Sequence, residues 1–306
     1  MGLVALAIVA SAGVGVAADL RFRERAEAAS RRVMDFMVWV LMPPIIFLIA
    51  ARTDLGGGVG AGILLGYLEL ATVGLLAYLL GTRVLRLPRP SVGTLIVVVI
   101  LANTGYLGIP LNAALLGRDA IAPAIAWDTA VSNVVLYTAA FAVGASFGTT
   151  AGETPRERAK AFLTRNPVLF AVVAGLLAPD ALAPDALVDA AEVVSFALLP
   201  LGFFILGVNL MHERDDGSLT FPPPLTAPVA TALALRLLAA PALLVAFSAL
   251  LVDVPDAYVV QAAMASGINS LIVSHLYGLD LRLAASTIAW GTAIVVVAAL
   301  AASPLV

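Results

Sequence analysis

Few residues in this chain could do chemistry, and most of those few lie inside long apolar runs. Cysteine is absent and histidine occurs only twice. That excludes disulfides, thiol nucleophiles and Cys-ligated metals, and argues against a catalytic zinc. Gly144-Ala145-Ser146-Phe147-Gly148 fits G-x-S-x-G but closes an apolar helix with no strand before it. Gly58–Gly62 likewise lacks the strand a dinucleotide loop needs. Two stretches remain where small and polar residues interrupt apolar sequence: Asn103-Thr104-Gly105-Tyr106-Leu107-Gly108-Ile109-Pro110 and Ser266-Gly267-Ile268-Asn269-Ser270. Beside them stand four ionisable residues, Glu69, Asp128, Arg236 and His275.

Pro110 removes an amide donor and crowds the preceding turn, while Gly105 and Gly108 loosen the backbone. A helix broken there exposes amides and carbonyls that persist in lipid only where a cavity or protein satisfies them. The N-terminus of the resuming helix offers free N–H groups and a positive dipole end to an anion. Asn103, Thr104, Gly105, Gly108 and Pro110 are therefore candidate binding residues, with Ser266, Gly267, Asn269 and Ser270 as their partners. A kink that only packs helices closely is the competing reading, stronger for the second stretch, which has no proline.

An ionisable group within a span costs roughly 2.5–3.5 kcal/mol on insertion scales. Arg236 could attract a carboxylate and Glu69 could hold a proton or cation; a structural ion pair or snorkelling accounts for them equally well. Asp128 reads first as a capping or packing carboxylate near the outer end of its span, and second as a coupling site. His275 could titrate near neutral pH, but its place near an inner helix end suits a solvated or hydrogen-bonded group. No metal site is expected.

The elements that must position these residues follow from composition. Of the 306 residues, 61% are hydrophobic and 12% charged, with a mean hydropathy of +1.03. A soluble domain carries about 25% charge, so this is expected to be a polytopic all-α membrane protein. Apolar runs near the ~20 residues that span a bilayer fall at about 2–18, 33–51, 59–82, 91–117, 120–147, 166–180, 187–211, 225–251, 257–278 and 283–304. With the first loop placed in the cytoplasm, inner loops hold Arg21, Arg23, Arg25, Arg31, Arg32, Arg83, Arg86, Arg89, Arg156, Arg158, Lys160, Arg165, Arg214 and Arg282, which is 14 of the 17 Lys and Arg. Outer loops hold Arg52 and Arg118 with Asp54, Asp119, Asp180, Asp185, Asp253 and Asp256. This bias predicts ten transmembrane helices with both termini outside, and it explains the basic loops without any nucleic-acid partner.

The chain also repeats itself. Ile125-Ala126-Trp127-Asp128-Thr129-Ala130 returns as Ile288-Ala289-Trp290-Gly291-Thr292-Ala293, and Leu116-Gly117-Arg118-Asp119 as Tyr277-Gly278-Leu279-Asp280. Asp35 and Pro43 have the spacing of Glu192 and Pro200. Five helices per half make the repeats inverted, the architecture of secondary transporters. The halves are 1–148 and 166–306, joined by a short basic linker at 149–165. Helices 4 and 9 are the interrupted pair.

Asn103–Leu111 resembles the fourth-helix motif of the auxin efflux carrier family, which includes bacterial malate/malonate permeases. Trp127-Asp128-Thr129-Ala130-Val131-Ser132-Asn133, Arg165-Asn166-Pro167, Leu206-Gly207-Val208-Asn209-Leu210, Leu235–Pro241 and the Tyr277–Asp280 closure resemble its other motifs, over essentially the whole chain. Ala265-Ser266-Gly267 departs from it where many members have proline before the glycine. The resemblance implies a scaffold of helices 1, 2, 6 and 7 and a transport unit of helices 3–5 and 8–10, in which helices 4 and 9 break and cross. It implies a small organic anion as substrate, Asn103 and Ser266–Ser270 lining its site, and a homodimer in many members. The expected function is alternating-access transport of a carboxylate across the plasma membrane, with no cofactor and with H+ or Na+ as the candidate coupling ion. A sodium-coupled bile-acid-type symporter is the alternative, and an intramembrane enzyme a distant one.

Overall fold

The computed structural model describes residues 2–52, 60–150, 152, 154–215 and 223–302. Asp54, Gly58, Val59 and Pro222 lie outside the described residues. Among the described residues the regular structure is helical apart from one isolated antiparallel bridge between Ala102 and Ser266. The elements are α1 (Gly2–Phe22), α2 (Glu24–Ala51) and α3 (Gly62–Val84), α4 (Arg89–Ile100), α5 (Ile109–Leu116) and α6 (Ile121–Phe147). They continue with α7 (Pro155–Thr164), α8 (Pro167–Leu176), α9 (Asp185–Asp215), α10 (Ala227–Leu250), α11 (Asp256–Ala262), α12 (Asn269–Tyr277) and α13 (Leu281–Ala302). Five helices among the described residues, α2, α3, α6, α10 and α13, are long and apolar enough to cross a membrane. Their outer faces leave Leu64, Leu75, Val245, Leu250 and Val297 exposed, as suits an all-α protein whose solvent is lipid.

Several features of the helices have local causes. Widened i→i+5 turns at Met37–Leu41, Thr104–Gly108 and Leu235–Ala239 each come just before a proline: Pro43, Pro110 and Pro241. A proline has no N–H to return to the preceding turn, and the ladder relaxes by one residue there. The Tyr277–Asp280 closure is a left-handed C-cap at Gly278 (φ 64°), followed by Asp280, whose carboxylate accepts from the Leu283 amide at 3.0 Å and from Ser91 at 2.7 Å. Asn166 caps α8 through the Leu169 amide at 3.0 Å. Its own amide donates to the Tyr137 carbonyl on α6 at 2.6 Å.

Packing follows two patterns. Helix α1 lies along α9, and α8 and α9 pack against the C-terminal part of α2. Gly15 and Gly207 make the first contact reciprocal: a Cβ on Gly15 would strike the Phe204 carbonyl, and one on Gly207 the Ala12 carbonyl. The remaining long helices, α3, α4, α6, α10 and α13, pack among themselves around α5, α11 and α12. The second group meets the first where α13 packs against α9 and where Ile268 lies against Gly202 of α9.

Candidate functional site

Both predicted interruptions are present, including the one without proline. Helix α4 ends at Ile100, Leu101–Asn103 leaves helical geometry, and Thr104 restarts the chain towards α5. Helix α11 ends at Ala262, and α12 begins at Asn269. The two non-helical segments meet. Asn103 donates its backbone N–H to the Ala265 carbonyl at 2.7 Å, and Gly267 donates to Leu101 at 2.8 Å. Each segment thus satisfies polar groups that the other's broken helix left open, and lipid could not do this. Ser266 adds a side-chain bond to the Val98 carbonyl at 2.6 Å.

A cavity of about 140 Å³ opens beside this crossing. Its wall includes Asn103, Thr104, Gly105, Gly267 and Asn269 of the predicted set, and Met42, Ile45, Ile46 and Ile49 of α2 close its apolar side. Two buried amide atoms there lack a protein partner, the Asn103 nitrogen Nδ2 and the Asn269 oxygen Oδ1. One is a donor and the other an acceptor, in a region where unpaired polar atoms are costly. The chain restarts at Thr104 and Asn269, so the N-terminal ends of both resuming helices border the cavity.

Asp128 lies in the same wall, within α6 and beside the crossing. Its carboxylate accepts from the Thr104 hydroxyl at 2.5 Å and from the Asn133 amide at 3.3 Å, and it lies against Gly105, where a Cβ would approach Oδ1 to 3.3 Å. Sequence reasoning placed Asp128 near a helix end. Tyr106, Ser132, Asn133 and Tyr137 also line the cavity; of these, Ser132 and Asn133 carry a signal in the sequence, as part of the motif that follows Trp127.

The other candidates lie elsewhere. Gly108 packs against Gln261, whose amide donates to the Ala124 carbonyl at 2.9 Å. Pro110 sits in the first turn of α5, and the Ser270 hydroxyl is buried without a hydrogen-bond partner. Glu69 and Arg236 are both buried and 3.9 Å apart, and neither lines the cavity. His275 Nε2 lies 3.2 Å from Asp35 Oδ1, linking α12 to α2. No group of three His, Cys, Asp or Glu able to hold a metal occurs among the described residues.

Residues 162–302 match the family described as membrane transport protein. An uncharacterized transporter of Methanocaldococcus jannaschii is 26% identical over 282 residues, covering 86% of this chain and 85% of the relative.

Proposed function

We propose, for a chain that belongs to the auxin efflux carrier family of membrane transport proteins, that the helix crossing is the binding site for a small organic anion of the carboxylate class. The chain is a transporter rather than an enzyme. The observation that carries the reading is the unpartnered side-chain nitrogen Nδ2 of Asn103 in a cavity bordered by two helix N-termini. A free donor and two positive dipole ends in one buried place favour an anion over a neutral solute once the charge of Asp128 is neutralised.

The rest of the proposal follows from that site. The ten apolar segments span the plasma membrane as two inverted five-helix repeats, with both termini outside. Helices α1, α2, α8 and α9 form a scaffold against which the other spans move, presenting the cavity to each side in turn. The packing pattern and the position of the cavity, between α2 and the crossing, support this division. Assembly as a homodimer belongs to the same reading, and native mass spectrometry of detergent-purified protein tests it.

Asp128 adds a coupling rule. Its negative charge in the cavity opposes an anion, so H+ or Na+ must neutralise it before the anion binds well. The Na+ form of the rule is the sodium-coupled symporter reading.

The deciding experiment measures thermal stabilisation of purified protein by malate, malonate, succinate and lactate, with and without Na+ and at two pH values. Stabilisation that Asn103→Ala abolishes supports the site. Stabilisation that survives Asn103→Ala and Asn269→Ala places the anion elsewhere.

A further inference from the structure

The interruption that creates the cavity also leaves helix C-termini to be satisfied, and one side chain meets both. In a continuous helix the Asn103 amide would bond to the Val99 carbonyl. Here that amide goes to Ala265, and Val99 instead accepts from Arg236 Nη1 at 2.8 Å. Arg236 Nη2 donates to the carbonyl of Ala262, the last residue of α11. The guanidinium therefore joins the last turn of α4 to the end of α11, where the two helix dipoles place partial negative charge. A planar fork with five N–H donors can serve two carbonyls at once, which an ammonium does less well.

The arrangement differs from an ion pair whose purpose is to neutralise Glu69. Glu69 Oε1 is 3.9 Å from Arg236 Nη2, beyond hydrogen-bond reach, and neither carboxylate oxygen has a hydrogen-bond partner. The close bonds go to the backbone, and Glu69 supplies a counter-charge at longer range. Arg236 is fully buried and does not line the cavity.

We infer that Arg236 is a positioning residue for anion binding: it clamps the C-terminal ends of α4 and α11 together and so fixes Asn103, Gly267 and Asn269, without touching the substrate. The inference rests on the reading of the crossing as the anion site. It goes further by assigning a role to a buried cation outside that site.

Hydrogen–deuterium exchange of the full chain in nanodiscs tests it, read in peptides covering 98–108 and 262–270 with α6 as reference. In Arg236→Met, exchange at both crossing segments should rise together by at least tenfold while α6 stays within twofold. Arg236→Lys should recover much of the protection, and Glu69→Gln should leave it within twofold of wild type. The double variant Glu69→Gln/Arg236→Met separates the two roles. If the clamp matters, it stays as loose as Arg236→Met; if it is as protected as wild type, Arg236 only neutralises Glu69 and the inference is wrong. Should Arg236→Met fail to insert, the remaining pair decides, because a Glu69→Gln loosening that matches or exceeds that of Arg236→Lys overturns the clamp. Malonate stabilisation is measured on the same samples and should weaken in step with exchange. If malonate and the other carboxylates fail even with wild type, the anion site falls while the exchange data still judge the clamp.

Discussion

The backbone N–H of Gly267 lies 2.8 Å from the carbonyl oxygen of Leu101, on the other interrupted helix. That bond needs the two backbone segments close enough that residue 267 has no room for a side chain. A Cβ there would come within 2.9 Å of the Ala102 carbonyl oxygen and 3.2 Å of its carbon. Backbone cannot yield as a flexible side chain can, so Gly267→Val should cost about 1–3 kcal/mol by overpacking. The expected result is protein that still reaches the membrane but melts several degrees lower and gains no stabilisation from malate or malonate. A fluorescence-detected melting curve gives both quantities, and wild-type melting would show that the crossing is looser than described.

Asp128 allows a signed prediction. Under the proposed coupling rule, the wild-type carboxylate opposes the anion until a cation neutralises it, so anion affinity should rise when pH falls or Na+ is added. Asp128→Asn carries no charge and can still accept from the Thr104 hydroxyl through its one oxygen, while its new NH2 donates to Asn133 once that amide turns its oxygen inward. Its anion affinity should therefore be about tenfold higher than that of wild type measured at high pH without Na+, a difference of about 1.4 kcal/mol. It should also be flat across both conditions. Isothermal calorimetry with malonate reads the outcome, and a variant that keeps the wild-type dependence would move the coupling group away from Asp128.

The sequence made the two interruptions visible for different reasons. Pro110 with Gly105 and Gly108 announced the first, yet the extended residues are 101–103, just before those signals, while Pro110 is accommodated at the start of α5. The second had only Gly267 among small and polar neighbours, and tertiary pairing with Leu101 and Asn103 completes it. Local propensity could suggest that break but could not supply its partner. Asp128 shows the limit most clearly. Position along α6 locates it only near a helix end, and its place in the cavity wall depends on how α6 packs against Thr104 and Gly105. Arg236 was legible as an expensive buried cation, but its acceptors are backbone carbonyls, which carry no sequence signature.

The contact of α1 with α9 should be among the least tolerant of added bulk. Gly15 and Gly207 each face a carbonyl of the opposite helix, so their missing Cβ atoms set the distance between the helix axes. Gly207→Leu should lower the melting temperature by more than Gly13→Leu, because nothing lies within 4 Å of a Cβ on Gly13. Equal shifts in the two variants would mean that the reciprocal contact does not determine stability.

The last prediction concerns motion. Asp35 on α2 and His275 on α12 meet at 3.2 Å, and in the proposed division they belong to the scaffold and the moving unit respectively. If one unit slides against the other during transport, this contact must open in each cycle. The chain has no native cysteine, so Asp35→Cys/His275→Cys introduces the only two thiols. Joining them with a short bifunctional thiol reagent should stop malate uptake into proteoliposomes, and a cleavable reagent should restore it on reduction. Each single variant treated with the same reagent should retain uptake, which separates a lock from mere modification. Uptake that continues in the cross-linked double variant would show that α2 and α12 keep their relative position throughout the cycle, and the boundary between the two units would have to be drawn elsewhere.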